Sequence, residues 1–359
     1  MRSEIFVILR SIVLAGGLWV AQASAVTILI DYRYDTQTEG FFTANPQAKA
    51  SLDAAAADLS SAIHASLGTI TSSQSRITGT NGSSALNFDW HHIITNPSTG
   101  AQVTITDTSI AANTVVIYAG MQELGGNLLG QGAIADISFS LSGGAYESEL
   151  EGAVNSAATQ STAVYSRGGG PVAYTLEGDI SLGSVIAPYA ITTGISVGNL
   201  WFDRDTDNDD FADDLAELDA YWHFNHLTAV SAGKFDFYSV AMHEMLHTLG
   251  FGTSVSWNHL VFGNDWAGAN TISLMGSGAN LIDSSGSHLA TGIMSTRISD
   301  GGAQSPVMAS TLQKGERLHL TQLDRAMMMD IGWNGSAVPE PSSLVLALAG
   351  LVLLIRRRR

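Results

Sequence analysis

The 359-residue chain contains no cysteine. Disulfide scaffolds, thiol nucleophiles and thiolate-held metals are therefore excluded, and any bound zinc must use His, Asp or Glu. Basic residues are scarce, with 16 Lys and Arg against 33 Asp and Glu. The formal net charge of −17 repels phosphates, which argues against a nucleic-acid partner and suits bound cations or simple solubility. Only 14% of residues are charged and 45% are apolar, so the composition is not that of a disordered chain. Proline numbers 7 against 37 glycines, which with abundant Ser, Thr and Asn suits an exported, loop-rich protein. Neither terminal apolar run, 12–20 or 344–355, reaches the roughly 20 residues of a membrane-spanning helix. No internal repeat is visible, and no break in composition divides the chain between 26 and 333.

Against this background one stretch stands out. Residues 240–252 read Val-Ala-Met-His-Glu-Met-Leu-His-Thr-Leu-Gly-Phe-Gly. His243 and His247 are four apart, so a helix stacks them on one face. Two imidazoles on one face can grip a Zn²⁺ from one side and leave the other side open. Glu244 follows the first histidine and is placed to act as general base on a water at the metal. Val240, Met242, Leu246 and Leu249 suit a buried helix, and Gly250 suits its end. Asp236 or Ser239 is expected to cap its start. The competing reading is a core helix that happens to carry two histidines.

The rest of the chain is less explicit. Residues 26–34 alternate as a strand, and 48–67 repeat Leu52, Ala56, Leu59, Ile63 and Leu67 at helical spacing. Residues 113–120 read as a buried strand. The glycine-rich stretch 124–132 reads as a connection, whose glycines permit unusual turns or a calcium loop. Residues 143–170 read as an inserted surface loop, and 174–197 contain β-prone pieces. His64, His91, His92 and His319 are expected to be structural or exposed. Asp203, Asp205 and Asp207 open an acidic cluster whose alternate carboxylates suit Ca²⁺, or a plain solvated turn. The EF-hand pattern wants Gly at its sixth place and Glu at its twelfth, where Asn208 and Asp214 stand.

Both ends carry export signals. Arg2 and Arg10, the apolar run 12–20 and Ala23-Ser24-Ala25 make a secretory signal peptide over residues 1–25. Residues 336–359 combine Pro339-Glu340-Pro341, a short apolar run and four terminal arginines. That tail resembles the bacterial PEP-CTERM sorting signal. The resemblance implies export by a Gram-negative cell, an exosortase-type partner that processes the tail, and a location at the inner membrane, the cell surface or outside.

A catalytic zinc needs a third protein ligand. No glutamate lies between Glu244 and Glu316, and the surroundings of Asp265 fit poorly. The chain instead runs His243-Glu244-x-x-His247-x-x-Gly250-x-x-Thr253. This is similar to the metzincin motif as far as the glycine, but holds Thr253 where that family has its third histidine. Downstream come Ser287-His288-Leu289, Pro306-Val307-Met308 and Asp330-Ile331-Gly332-Trp333. Together these resemble the leishmanolysin branch of metzincins, with a matrixin-like region around 198–224. The resemblance covers roughly 198–333. It implies an α+β zincin fold over 26–335, with a twisted mixed sheet, long helices and a C-terminal subdomain.

By position it carries the third ligand onto His288, with His259 as runner-up, and the methionine beneath the metal onto Met308, with Met294 as runner-up. No tyrosine follows either methionine closely. The implied activity is a zinc endopeptidase acting on a protein or peptide substrate, with Glu244 as general base. The substrate strand is expected to pair with a sheet edge within 184–198. An inactive zincin-fold binding protein and a structural surface protein remain the alternatives.

Overall fold

The computed structural model describes residues 24–35, 40–70, 77–78, 85–106, 109–142, 170–182 and 185–334. Residues 1–23 of the expected signal peptide, the surface-loop reading at 143–169 and the sorting tail at 336–359 lie outside the described residues. Among the described residues no helix is long and apolar enough to cross a membrane.

The architecture is mixed α and β. Its central sheet has four strands: β1 (Thr27–Asp31), β4 (Thr114–Gln122), β5 (Gly130–Ile134) and β9 (Val197–Asp203). Their spatial order is β1-β4-β9-β5. β1 and β9 run parallel to β4, and β5 runs antiparallel to β9 along the outer edge. All seven residues of β9 are buried, as expected for an interior strand covered on both faces. A second sheet pairs β2 (Ala85–Thr95) with β3 (Gln102–Thr106) and β6 (Asp136–Ser142). β7 (Val172–Leu182) and β8 (Val185–Gly194) form a separate hairpin.

Helix α1 spans Pro46–Ala62, shorter at its end than the apolar period suggests. Asn45 caps its start by accepting from the Ala48 N–H, and Pro46 takes the first helical position, where no partner for an N–H is needed. Ile63 and Leu67 are in the core, but as extended residues. The Ile63 backbone is extended, and His64 turns away to pair with the backbone of Asn334. A hydrophobic period is thus continued by a strand-like segment that has its own partners.

The second long helix, α3 (Phe237–Thr248), carries the histidine motif. Asp236 caps it, accepting from the Ser239 N–H at 3.1 Å. Asp236 is fully buried and forms a fork with Arg317, whose Nη2 lies 2.6 Å away. Arg317 also donates to the carbonyls of Asn225, His226 and Thr228, so one guanidinium ties that loop to the helix start. Met242, Met245, Leu246 and Leu249 are completely buried, each contributing about 1.5–3 kcal/mol of burial free energy.

Among the shorter helices are α2 (Leu215–Tyr221), α4 (Ala269–Met275) and α5 (Gln322–Asp330), beside single turns at Phe41–Ala44 and Val255–Asn258. The Asp-Ile-Gly-Trp ending ties distant segments together. Asp330 accepts from Trp266 Nε1, from Asn270 and from the Thr271 N–H, which fixes the 255–280 excursion to α5. Trp333 Nε1 donates to the Leu249 carbonyl at 2.8 Å, closing the end of α3.

Candidate functional site

Helix α3 presents His243 and His247 one turn apart, and a loop 41 residues further on brings His288 to them. The Nε2 atoms of His243 and His247 are 3.2 Å apart, and those of His247 and His288 are 3.1 Å apart. The tautomers decide what this contact is. His243 Nδ1 lies 2.8 Å from the Val307 carbonyl, and His247 Nδ1 lies 2.8 Å from the Phe251 carbonyl. A carbonyl only accepts, so both Nδ1 atoms must carry the proton. Both Nε2 atoms are then bare lone pairs. Lone pairs facing one another at this distance repel, and a cation between them removes the conflict. The arrangement is therefore read as a ligand set and not as a histidine hydrogen-bond chain.

Burial supports the same protonation. It pushes His243 well below the ordinary histidine value, with His247 and His288 adding to the effect. It pushes His247 down to about 4, and it lowers His288, partly offset by Asp283. Neutral imidazoles are the form that binds metal.

His288 is delivered by a tight hairpin. Ile282 and Leu289 bridge, and the Asp283 N–H donates to the His288 carbonyl at 3.0 Å. Ser285 Oγ lies 3.3 Å from His288 Nδ1 and donates to Asp283 at 2.6 Å, while Asp283 itself is 3.8 Å from that nitrogen. These groups orient the ring so that Nε2 faces the other two. Thr253 lines the same cleft, but its hydroxyl is engaged elsewhere than with the imidazole nitrogens. Its hydroxyl donates to the His247 carbonyl at 2.6 Å and caps the helix end. His259 is exposed and outside the cluster.

Met308 is fully buried, and its carbonyl accepts from the Leu289 N–H beside His288. Met294 is 54% exposed, so it cannot form a floor under the imidazoles. The turn at Met308 is held from below by Asp324, which is itself fully buried. Its carboxylate accepts from the N–H groups of Val307, Met308 and Thr321 and from the Thr321 hydroxyl. Sequence reasoning misses Asp324. The signal available is Thr321-x-x-Asp324, a capping-box pattern at the start of α5.

Glu244 lies against β5. Burial pushes its carboxyl up to about 8, and a hydrogen bond from the Gly132 backbone offsets this in part. A nearby dication would favour its ionised form. The glycines at 130 and 132 are thereby explained, and not as a calcium loop or a mere connection. A Cβ on Gly132 would sit 2.1 Å from the Glu244 carbonyl oxygen, and one on Gly130 would sit 3.0 Å from Glu244 Cγ. They let a strand lie flush on the helix.

β5 also corrects the expected substrate edge. Residues 185–194 belong to a separate two-stranded hairpin and do not line the cleft at the histidines, and 197–203 are bonded on both sides. The outer edge beside the histidines is Gly130–Ile134. An open cleft of about 940 Å³ runs there, lined by residues 126–133, by the three histidines and Glu244, and by residues between Val307 and Leu318.

The acidic loop also assembles differently. Carboxylates of Asp205, Asp207 and Asp209 come within 4.8 Å of one another. Asp203 is turned inward, accepting from the Leu124 and Asp205 N–H groups. Asp209 thus takes the place expected for Asp203. Asp265 accepts from the Asn280 N–H, and His92 Nε2 sits 2.9 Å from Ser196 Oγ. His64 and His319 are likewise away from the cluster.

No family model, no curated protein and no solved structure matches the chain.

Proposed function

We propose that the chain is an exported zinc endopeptidase of metzincin type. One observation carries the reading: three inward-facing Nε2 atoms, two of them fixed as bare by their Nδ1 partners, stand beside Glu244 in an open cleft. His243, His247 and His288 would hold the zinc, and three neutral imidazoles with an accessible side are a donor set suited to it. Zinc bound there supplies Lewis acidity and makes water a nucleophile near neutral pH.

The chain's own residues do the rest. Glu244 takes the proton from the attacking water and returns it to the leaving amine. Gly132 holds the Glu244 carboxylate through its N–H. The free edge of β5 gives an extended peptide a row of main-chain partners, which aligns the scissile carbonyl with the histidines. Asp205, Asp207 and Asp209 are a second candidate cation site, for calcium. Export through the amino-terminal segment and sorting through the Pro-Glu-Pro tail belong to the same reading.

The test measures zinc content and casein hydrolysis by the mature protein and by Glu244→Ala. Bound zinc with activity lost in the variant supports the proposal. Bound zinc with no activity in either protein replaces it with an inactive binding protein. Absence of zinc after loading removes the metal reading altogether.

A further inference from the structure

The cleft does not end at the histidines. Beyond His243 it continues one turn towards the start of α3, past Val240 and Ser239, a distance of about 5–6 Å along the helix. Leu318, Phe235 and Tyr221 line this part together with Lys314, which is solvent-exposed. Lys314 is the one cation among the residues lining the cleft. Its ammonium lies 5.1 Å from the centre of the Tyr221 ring and 5.0 Å from that of Phe235. Two ring faces hold the charge in place without neutralising it. Lys314 takes part in no ion pair among the described residues, whereas Lys234 beside it is committed to Asp219.

We infer that this recess is a carboxylate-selective subsite, in which Lys314 pairs with the acidic side chain of the substrate residue flanking the scissile bond. The inference rests on the peptidase reading and names its preferred substrates, peptides with Glu at that position. The apolar walls take the methylenes of the side chain, and its carboxylate meets the ammonium. The net charge of −17 opposes acidic peptides at long range. At about 0.15 M salt that field is screened beyond roughly 8 Å, so the local contact decides the selection. A free α-carboxylate at a peptide end offers the same chemistry and is the other source to separate.

The experiment uses the zinc-loaded mature protein and fluorogenic peptides. Glu, Gln or Lys is placed in turn at the two positions flanking the cleaved bond, with the C-terminus amidated. One further neutral peptide carries a free carboxylate at the same place. Binding of the same peptides to Glu244→Gln, read by fluorescence polarisation, gives the comparison without turnover.

The expected result is a Glu-over-Gln ratio in kcat/KM of about tenfold at one of the two positions. That ratio should collapse in Lys314→Met and give way to a Lys preference in Lys314→Glu. Preference for the free-carboxylate peptide over every amidated Glu peptide would overturn the side-chain assignment. A wild-type ratio near one, or a ratio unchanged in Lys314→Met, would overturn the inference while leaving the peptidase intact. If no peptide is cleaved, the peptidase reading falls. The binding ratio and its loss in Lys314→Met, made in the Glu244→Gln background, then decide the subsite alone.

Discussion

Gly132 and Gly198 are, with Gly130, points where the central sheet touches the motif helix, and substituting them tests the packing of the site directly. A Cβ on Gly132 meets the Glu244 carbonyl oxygen at 2.1 Å; on Gly198 it meets Thr248 Cγ2, also at 2.1 Å. Ordinary contact begins at 3.4 Å, so strand and helix must part by roughly 1 Å in either variant. Overpacking of this kind costs about 1–3 kcal/mol. The two clashes differ in kind. At Gly132 the obstacle is backbone, which cannot be trimmed. At Gly198 the worst obstacle is a methyl group, which Thr248→Ser removes while keeping the hydroxyl that donates to the Glu244 carbonyl; the Ala133 carbonyl oxygen at 2.9 Å remains. Gly198→Ala should therefore recover part of its loss, about 1 kcal/mol, when combined with Thr248→Ser, and Gly132→Ala should recover little. Gly125→Ala, with nothing within 4 Å, is the neutral control. Urea midpoints read the energies, and zinc affinity reads whether the helix has moved. A Gly132→Ala protein as stable as wild type, or rescue of both variants alike by Thr248→Ser, would refute the close-approach argument.

Three further outcomes are expected. His288→Ala should weaken zinc binding by more than about a hundredfold and His259→Ala should leave it unchanged; Asp283→Ala should cost about 10–100-fold by releasing the ring, all read by competition with a chromogenic chelator. In metal-free protein, Glu244 keeps its proton up to about pH 8, whereas the unfolded chain loses it near the ordinary 4.5. The contribution of this group to stability therefore falls as pH rises through that window, while the three lowered histidines contribute a rise in its lower part. The urea midpoint of the wild type relative to Glu244→Gln should fall across the window, since the histidines contribute alike to both proteins, and a difference that stays constant with pH would contradict the assignment. Asp324→Asn should cost about 3 kcal/mol, because a fully buried group that accepts four hydrogen bonds gains a misplaced donor. It should also speed hydrogen exchange at the Val307 and Met308 amides.

The sequence by itself determined what depends on neighbours a few residues away. A helix repeats every 3.6 residues, so His243, Glu244 and His247 could be placed on one turn, with Asp236 before them and Gly250 after. The strand at Thr114–Gln122 was legible for the same reason, since burial on both faces writes a continuous apolar run. His288 was reached only through a family resemblance, because no local period links it to a helix 41 residues away. The tertiary structure decided what local pattern cannot carry. A glycine's missing Cβ does not say what approaches it, so Gly130 and Gly132 gave no hint of helix α3. Pairing partners of a strand lie elsewhere in the chain, so the sheet edge beside the histidines fell at Gly130–Ile134 and not within 184–198. Among alternating aspartates, spacing could not tell which carboxylate turns inward; backbone donors at Leu124 and Asp205 drew Asp203 away and left Asp209 in its place. Lys314 looked like any surface lysine until Tyr221 and Phe235, from two distant segments, were folded beneath it.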